Sequence, residues 1–120
     1  MRVGTNVALA YNYIIKALHR CFPEYKIESS RPGDYAVATI ILDDGSVSVS
    51  VFGDDDIKIE VSQDLASRMA ILNYYSFRAD DAKYGDAKSI AGDAPPAVLM
   101  ALDKIGVLAS QYEKYRDQNV

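Results

Sequence analysis

The sequence predicts an α+β domain in which a four-stranded antiparallel meander carries an N-terminal helix and two C-terminal helices on one face, in the order α-β-β-β-β-α-α. Three observations lead there. Apolar and polar residues alternate through 35–62, so that one side of each strand is greasy and the other wet. Turn residues interrupt the alternation twice, at Asp43-Asp44-Gly45-Ser46 and at Gly53-Asp54-Asp55-Asp56. On either side of this block the apolar residues recur every three or four positions, the spacing of a helix stripe.

The first helix is read over 5–22 from Val7, Tyr11, Ile14, Ile15, Leu18 and Phe22, with Thr5 or Asn6 as its cap and Pro23 as its stop. A short strand follows at 25–29, where Tyr25 and Ile27 alternate with Lys26 and Glu28. Arg31, Pro32, Gly33 and Asp34 make a turn in which proline presets one torsion and glycine permits the next. The strand at 35–42 is apolar on both sides, since Ala36, Ala38, Ile40 and Leu42 oppose Tyr35, Val37, Thr39 and Ile41. It therefore reads as the central strand, covered by helices on one face and partly shielded on the other. Asp44-Gly45 suits a tight hairpin whose positive torsions match the strand twist. Val47, Val49 and Val51 then oppose Ser48 and Ser50, and Ile57, Ile59 and Val61 oppose Lys58, Glu60 and Ser62.

Ser62 is the expected cap of a second helix, with Asp64 near the positive end of its dipole. Leu65, Met69, Leu72 and Tyr75 or Ser76 trace its inner stripe, broadened by Ala70, Tyr74 and Phe77. The pattern fades over 78–94, which is read as a mobile loop. Pro95 and Pro96 open the last helix. Its heptad pairs Val98, Ile105 and Tyr112, and Ala101, Leu108 and Tyr115, make a stripe wider than a sheet alone requires. A second contact, to another helix or another copy of the chain, would account for that width.

A chain of 120 residues that is 49% hydrophobic and 25% charged falls in the range of one globular domain spanning 1–120, which excludes wholesale disorder. No run of about eighteen apolar residues exists, so no membrane span is expected. Asn6, Asn12, Lys16, His19 and Arg20 interrupt the first helix, which does not read as a signal peptide, and a cytoplasmic protein is expected. Cys21 is the single cysteine and excludes an internal disulfide.

The net charge of −4 is unevenly spread. Residues 34–64 carry Asp34, Asp43, Asp44, Asp54, Asp55, Asp56, Glu60 and Asp64 against Lys58 alone, whereas 1–33 carry five cations against Glu24 and Glu28. The acidity belongs to the sheet. In a meander the two turns lie at opposite ends, which puts Arg31 and Asp34 at the same end as Asp54, Asp55 and Asp56.

Catalytic signatures are missing from the pattern. His19 is the one histidine, so a multi-imidazole metal site is excluded and no nucleophile–base pair stands out. The spacing around Asp54 to Asp56 is wrong for a calcium-binding helix-loop-helix, and solvated turn acids are the simpler reading. The seven glycines are scattered singly, with no phosphate-cradling loop. An acidic sheet repels phosphates, which disfavours direct nucleic-acid binding. Nine tyrosines and no tryptophan remain as the compositional oddity; a tyrosine buries area at little entropic cost while its hydroxyl finds a partner.

These readings lead to a non-enzymatic acidic binding protein, without metal or cofactor, acting as an inhibitor or adaptor that docks on a basic, nucleic-acid-binding protein. The candidate partner-binding residues are Asp34, Asp43, Asp44, Asp54, Asp55, Asp56, Tyr74 and Tyr75. Small inhibitors that mobile elements such as phages use against host defence nucleases share this size and charge. Two alternatives stay open: a homodimeric secretion-type chaperone or adaptor self-associating through its C-terminal helix, and a protein that sequesters an anionic ligand such as a nucleotide beneath the 78–94 loop through Arg78, Lys83, Tyr84 and Lys88.

Overall fold

The alternation of 35–62 becomes three adjacent strands, because only a pleated ribbon puts Ala36, Ala38, Ile40, Val47, Val49, Val51, Ile57, Ile59 and Val61 on one side, and none of these is more than 4% exposed. The computed structural model describes residues 5–78 and 94–118. In chain order these are α1 (Thr5–Cys21), β1 (Lys26–Ser30), β2 (Ala36–Ile41), β3 (Ser46–Gly53), β4 (Asp56–Val61), α2 (Gln63–Met69), β5 (Tyr74–Arg78) and α3 (Pro96–Gln118). The strands form one antiparallel sheet in the order β1-β2-β3-β4-β5. The α+β class and the meander follow the expectation from sequence, with one strand more than predicted.

α1 lies across β2 and β3, α3 lies across β4 and β5, and the two helices pack against each other on the same face of the sheet. Ile14, Leu18, Ile105 and Leu108 meet the inward strand residues in a single core. Burying each Val, Leu or Ile there contributes roughly 1.5–3 kcal/mol. The wide stripe on α3 is explained by this arrangement, since Val98, Ala101, Ile105, Leu108 and Tyr112 are all buried within the chain's own core. A second copy is not needed to cover them.

The added strand comes from the segment read as the tail of a longer second helix. α2 ends at Met69 because Ala70 adopts a left-handed conformation, φ 59° and ψ 44°. Ala70 N–H then bonds to Ser67 O and Ile71 N–H to Ala66 O, which closes the last turn. Leu72, expected on the inner stripe, is 71% exposed in the connection. Beyond it the chain alternates again. Tyr75 and Phe77 turn inward opposite Ile59 and Ile57, while Tyr74, Ser76 and Arg78 face out. With β5 in place the middle of the sheet is β3, not β2, and the outer face of β2 is uncovered among the described residues, leaving Ile41 40% exposed.

Two local expectations are also corrected. Ser62 occupies the position before α2, yet its hydroxyl does not cap that helix; it accepts a hydrogen bond from Ser46 N–H at 3.0 Å. The β2–β3 hairpin does not turn on Asp44-Gly45. Leu42 N–H bonds to Gly45 O, so Asp43 and Asp44 form the tip, and Gly45 has no positive φ. Glycine is required there for room: a Cβ would lie 2.5 Å from Ser62 Oγ and 2.8 Å from Leu65 Cβ.

Gly45→Ala should therefore destabilise the fold by about 1–3 kcal/mol, the range of overpacking a filled site. Ala70→Gly should stabilise it by up to about 1 kcal/mol by removing the left-handed strain. Denaturant unfolding of both variants checks the opposite signs.

Candidate functional site

The two ends of the sheet treat their carboxylates differently. At the hairpin end, Asp43 and Asp44 meet the last turns of α3. Tyr112 Oη donates to Asp44 Oδ1 at 3.0 Å, and Arg116 Nη2 lies 3.9 Å from Asp43 Oδ2. Arg116 also donates from Nη1 to the Tyr25 hydroxyl, and its guanidinium carbon lies 5.6 Å from the Tyr25 ring centroid and 5.9 Å from that of Tyr112. Tyr25 meets Tyr112 edge-on at 6.0 Å, and Phe22 meets Tyr25 edge-on at 6.4 Å. A groove of about 410 Å³ opens beside this clasp, walled by Phe22, Pro23, Tyr25, Ala109, Tyr112 and Arg116. Asp43 and Asp44, expected to face a partner, are thus engaged by the chain's own hydroxyl and guanidinium.

The opposite end keeps its acids outward. Asp34 and Asp55 are exposed and Asp54 is half-buried, and none of the three forms an ion pair with another described residue. Arg31, at the same end, places its guanidinium 5.7 Å from the Tyr11 ring centroid, and Tyr11 shares a hydrogen bond with Ser29. Asp56 is different. It is half-buried at the start of β4 opposite Arg78, and its Oδ1 is buried without a hydrogen-bond partner among the described residues.

Between Asp34 and Asp54 lies an aromatic pair that the sequence reading did not single out. The β3–β4 register shifts between Val51 and Gly53, leaving Phe52 as an extra residue. The bulge presents Phe52 on the uncovered face of the sheet, where its ring stacks on Tyr35 at 4.8 Å between centroids and 21° between planes. Lys58 Nζ lies 4.8 Å from the Phe52 centroid. Phe52 remains 41% exposed. The signal was present in the hairpin: a tip at Asp43-Asp44 pairs Ala36 with Val51, which sets Tyr35 beside Phe52. The Asp55 carboxylate folds back over Gly53, 3.0 Å from where a Cβ would stand.

Tyr74 and Tyr75 part company because they lie on a strand. Tyr74 is 49% exposed on the open face beside Glu60, whereas Tyr75 points inward beneath Lys104, whose Nζ is 4.7 Å from the ring centroid. Arg78 ends β5, while Lys83, Tyr84 and Lys88 of the expected ligand loop lie outside the described residues. His19 is exposed on α1 and Cys21 is a half-buried free thiol. Among the described residues, no three histidine, cysteine or carboxylate side chains converge as metal ligands, and no helix is long and apolar enough to cross a membrane. No family model, curated relative or solved structure matches this chain.

Burial pushes the Tyr112 hydroxyl well above the usual tyrosine range, reinforced by its hydrogen bond to Asp44 and that carboxylate's charge. Burial also raises Tyr75. The folded state holds these protons more tightly than the unfolded chain does. Their contribution is complete below the unfolded tyrosine value of about 10 and is lost as pH rises past it. Stability measured by denaturant titration should fall steeply in that alkaline window. Tyr112→Phe should flatten the fall without abolishing it, since Tyr75 titrates with the same sign.

Proposed function

We propose that this chain is a non-enzymatic binding protein that docks on a basic protein surface through the sheet end bearing Asp34, Tyr35, Phe52, Asp54 and Asp55. The observation that carries this reading is a stacked, half-exposed aromatic pair flanked by carboxylates that no cation among the described residues neutralises. Interfaces of this kind divide the work. A desolvated aromatic anchor holds the complex, while rim charges steer the approach and reject partners of the wrong sign. Phe52 and Tyr35 suit the first role because their rings are already paired, so little side-chain freedom is lost on binding. Asp34, Asp54 and Asp55 suit the second.

A basic surface wide enough to meet three carboxylates around a flat aromatic patch is what nucleic-acid-binding proteins offer, since they must neutralise phosphates. Occupying that surface would block nucleic acid from it, which is the action of an inhibitor or steering adaptor, and cytoplasmic nucleic-acid-binding proteins are the expected targets. The acidic rim makes direct nucleic-acid binding by this face unfavourable.

The test begins with affinity capture from cells to identify a partner, followed by kinetics with purified components. Replacing Asp34, Asp54 and Asp55 by Asn should slow association by about tenfold or more at low salt, and the difference should vanish at high salt. Phe52→Ala should act on dissociation instead, and excess duplex DNA should compete with the wild-type protein for its partner. A complex insensitive to salt and to all four substitutions would overturn the assignment.

A further inference from the structure

We propose that the groove beside the Arg116 clasp binds an extended aliphatic polyamine, whose ammonium groups meet Glu24, Glu113 and Asp117 and whose methylenes lie along the apolar walls. The site is at the opposite end of the sheet from Phe52 and is independent of docking there.

The groove exists because two helices that finish at the same end of the sheet have different reach. β1 follows α1 directly and pairs Lys26 with Ile41 beside the hairpin, and the last turns of α3 reach Asp43 and Asp44. Pro23 stops α1, whereas α3 continues to Gln118. Ala109 still packs against the core, but Glu113 and Asp117, one and two turns further on, are exposed. Between this overhang and residues 21–25 lies the space of about 410 Å³. That volume is within the range of small-molecule sites.

The lining is anionic. Four-residue spacing sets Ala109, Glu113 and Asp117 in one row of α3 and Tyr112 and Arg116 in the next, and Glu24 contributes from the segment after α1. None of these three carboxylates forms an ion pair with another described residue. Arg116 is the one cation among the described residues that line the groove, and Tyr25 and Asp43 already engage it. The C-terminal ends of α1 and α3 add partial negative charge at the same place, and Pro23 has no N–H to offer the His19 carbonyl four residues back.

The walls between the carboxylates are apolar, formed by Phe22, Pro23, Ala109 and the rings of Tyr25 and Tyr112. Arg116 shows that these rings accept a cation, since its guanidinium carbon stands 5.6 Å and 5.9 Å from their centroids. A nucleotide or other anion is repelled here. A bare metal ion gains nothing from the rings, and among the described residues no three carboxylates converge as ligands. A linear polyamine answers both features, because its charges are separated by short methylene runs. Carboxylates one helical turn apart, with about 5–6 Å between their Cβ atoms, suit that repeat.

Isothermal titration of the full chain with spermidine at low ionic strength should show saturable binding at one site. Glu113→Gln combined with Asp117→Asn should weaken it by about tenfold or more with an unchanged circular-dichroism melt, because two of the three opposing charges are gone. Asn at Asp34, Asp54 and Asp55 should leave it unaltered, which separates this site from the docking surface. Cys21 lines the groove and is the only cysteine, so bound spermidine should slow its alkylation by N-ethylmaleimide. Absence of saturable binding, equally effective competition by magnesium ion, an equal loss in the Asp34, Asp54 and Asp55 variant, an unprotected Cys21, or binding confined to a lysine-rich peptide would each overturn the proposal.

Discussion

The period-two burial of β2, β3 and β4 is the constraint on which the rest of the molecule depends. Nine inward side chains from Ala36 to Val61 form one continuous apolar surface, and such a surface is stable only when other apolar surface covers it. α1 and α3 supply that cover side by side, which explains why α3 needs a stripe broad enough to meet both the sheet and α1. Because both helices occupy the same face, the opposite face has no cover among the described residues, and its central strand furnishes it with the short polar side chains of Ser48 and Ser50. Thr39 and Ser48 bond to each other across it at 3.0 Å.

That asymmetry sets where chemistry is available. Side chains on the helix-covered face are committed to packing, so recognition falls to the open face, the edges and the two ends of the sheet. At one end the tip of the β2–β3 hairpin meets α3, and Arg116 and Tyr112 tie down Asp43 and Asp44. This fastens the end of the long helix to the sheet, in a half-exposed setting where a guanidinium gains from two aromatic faces as well as from a carboxylate. At the other end none of Asp34, Asp54 and Asp55 pairs with a cation among the described residues, and the bulge at Phe52 presents an aromatic ring among them. Similar residue types at the two ends thus have opposite fates: an internal fastening and an outward-facing surface.

The tyrosines follow the same logic. Tyr11 shares a hydrogen bond with Ser29 at the core margin, Tyr112 is 4% exposed with its hydroxyl on a carboxylate, Tyr75 is half-buried under a lysine, and Tyr74 and Tyr35 lie on the open face. A tyrosine serves wherever one end of a side chain is dry and the other wet, and a two-layer fold with one uncovered face has many such places.

The alternation from 35 to 62 was by itself enough to determine the antiparallel sheet, its inward residues and the α+β class, because a period of two admits no other regular backbone once one face must be buried. The helical stripes of α1 and α3 were equally legible. Residues 70–78 were not: Leu72, Tyr75 and Ser76 satisfy a helical spacing as well as Tyr75 and Phe77 satisfy a strand, and short apolar runs do not distinguish the two. Tertiary structure decided in favour of the strand, since the open edge of β4 offers backbone partners and Ile57 and Ile59 offer apolar ones. It also decided which carboxylates the described cations meet. Asp43 and Arg116 are separated by most of the chain, and only the packing of α3 against α1 and the sheet brings the guanidinium to the hairpin, so the charge pattern along the sequence showed where acids lie but not which were already answered.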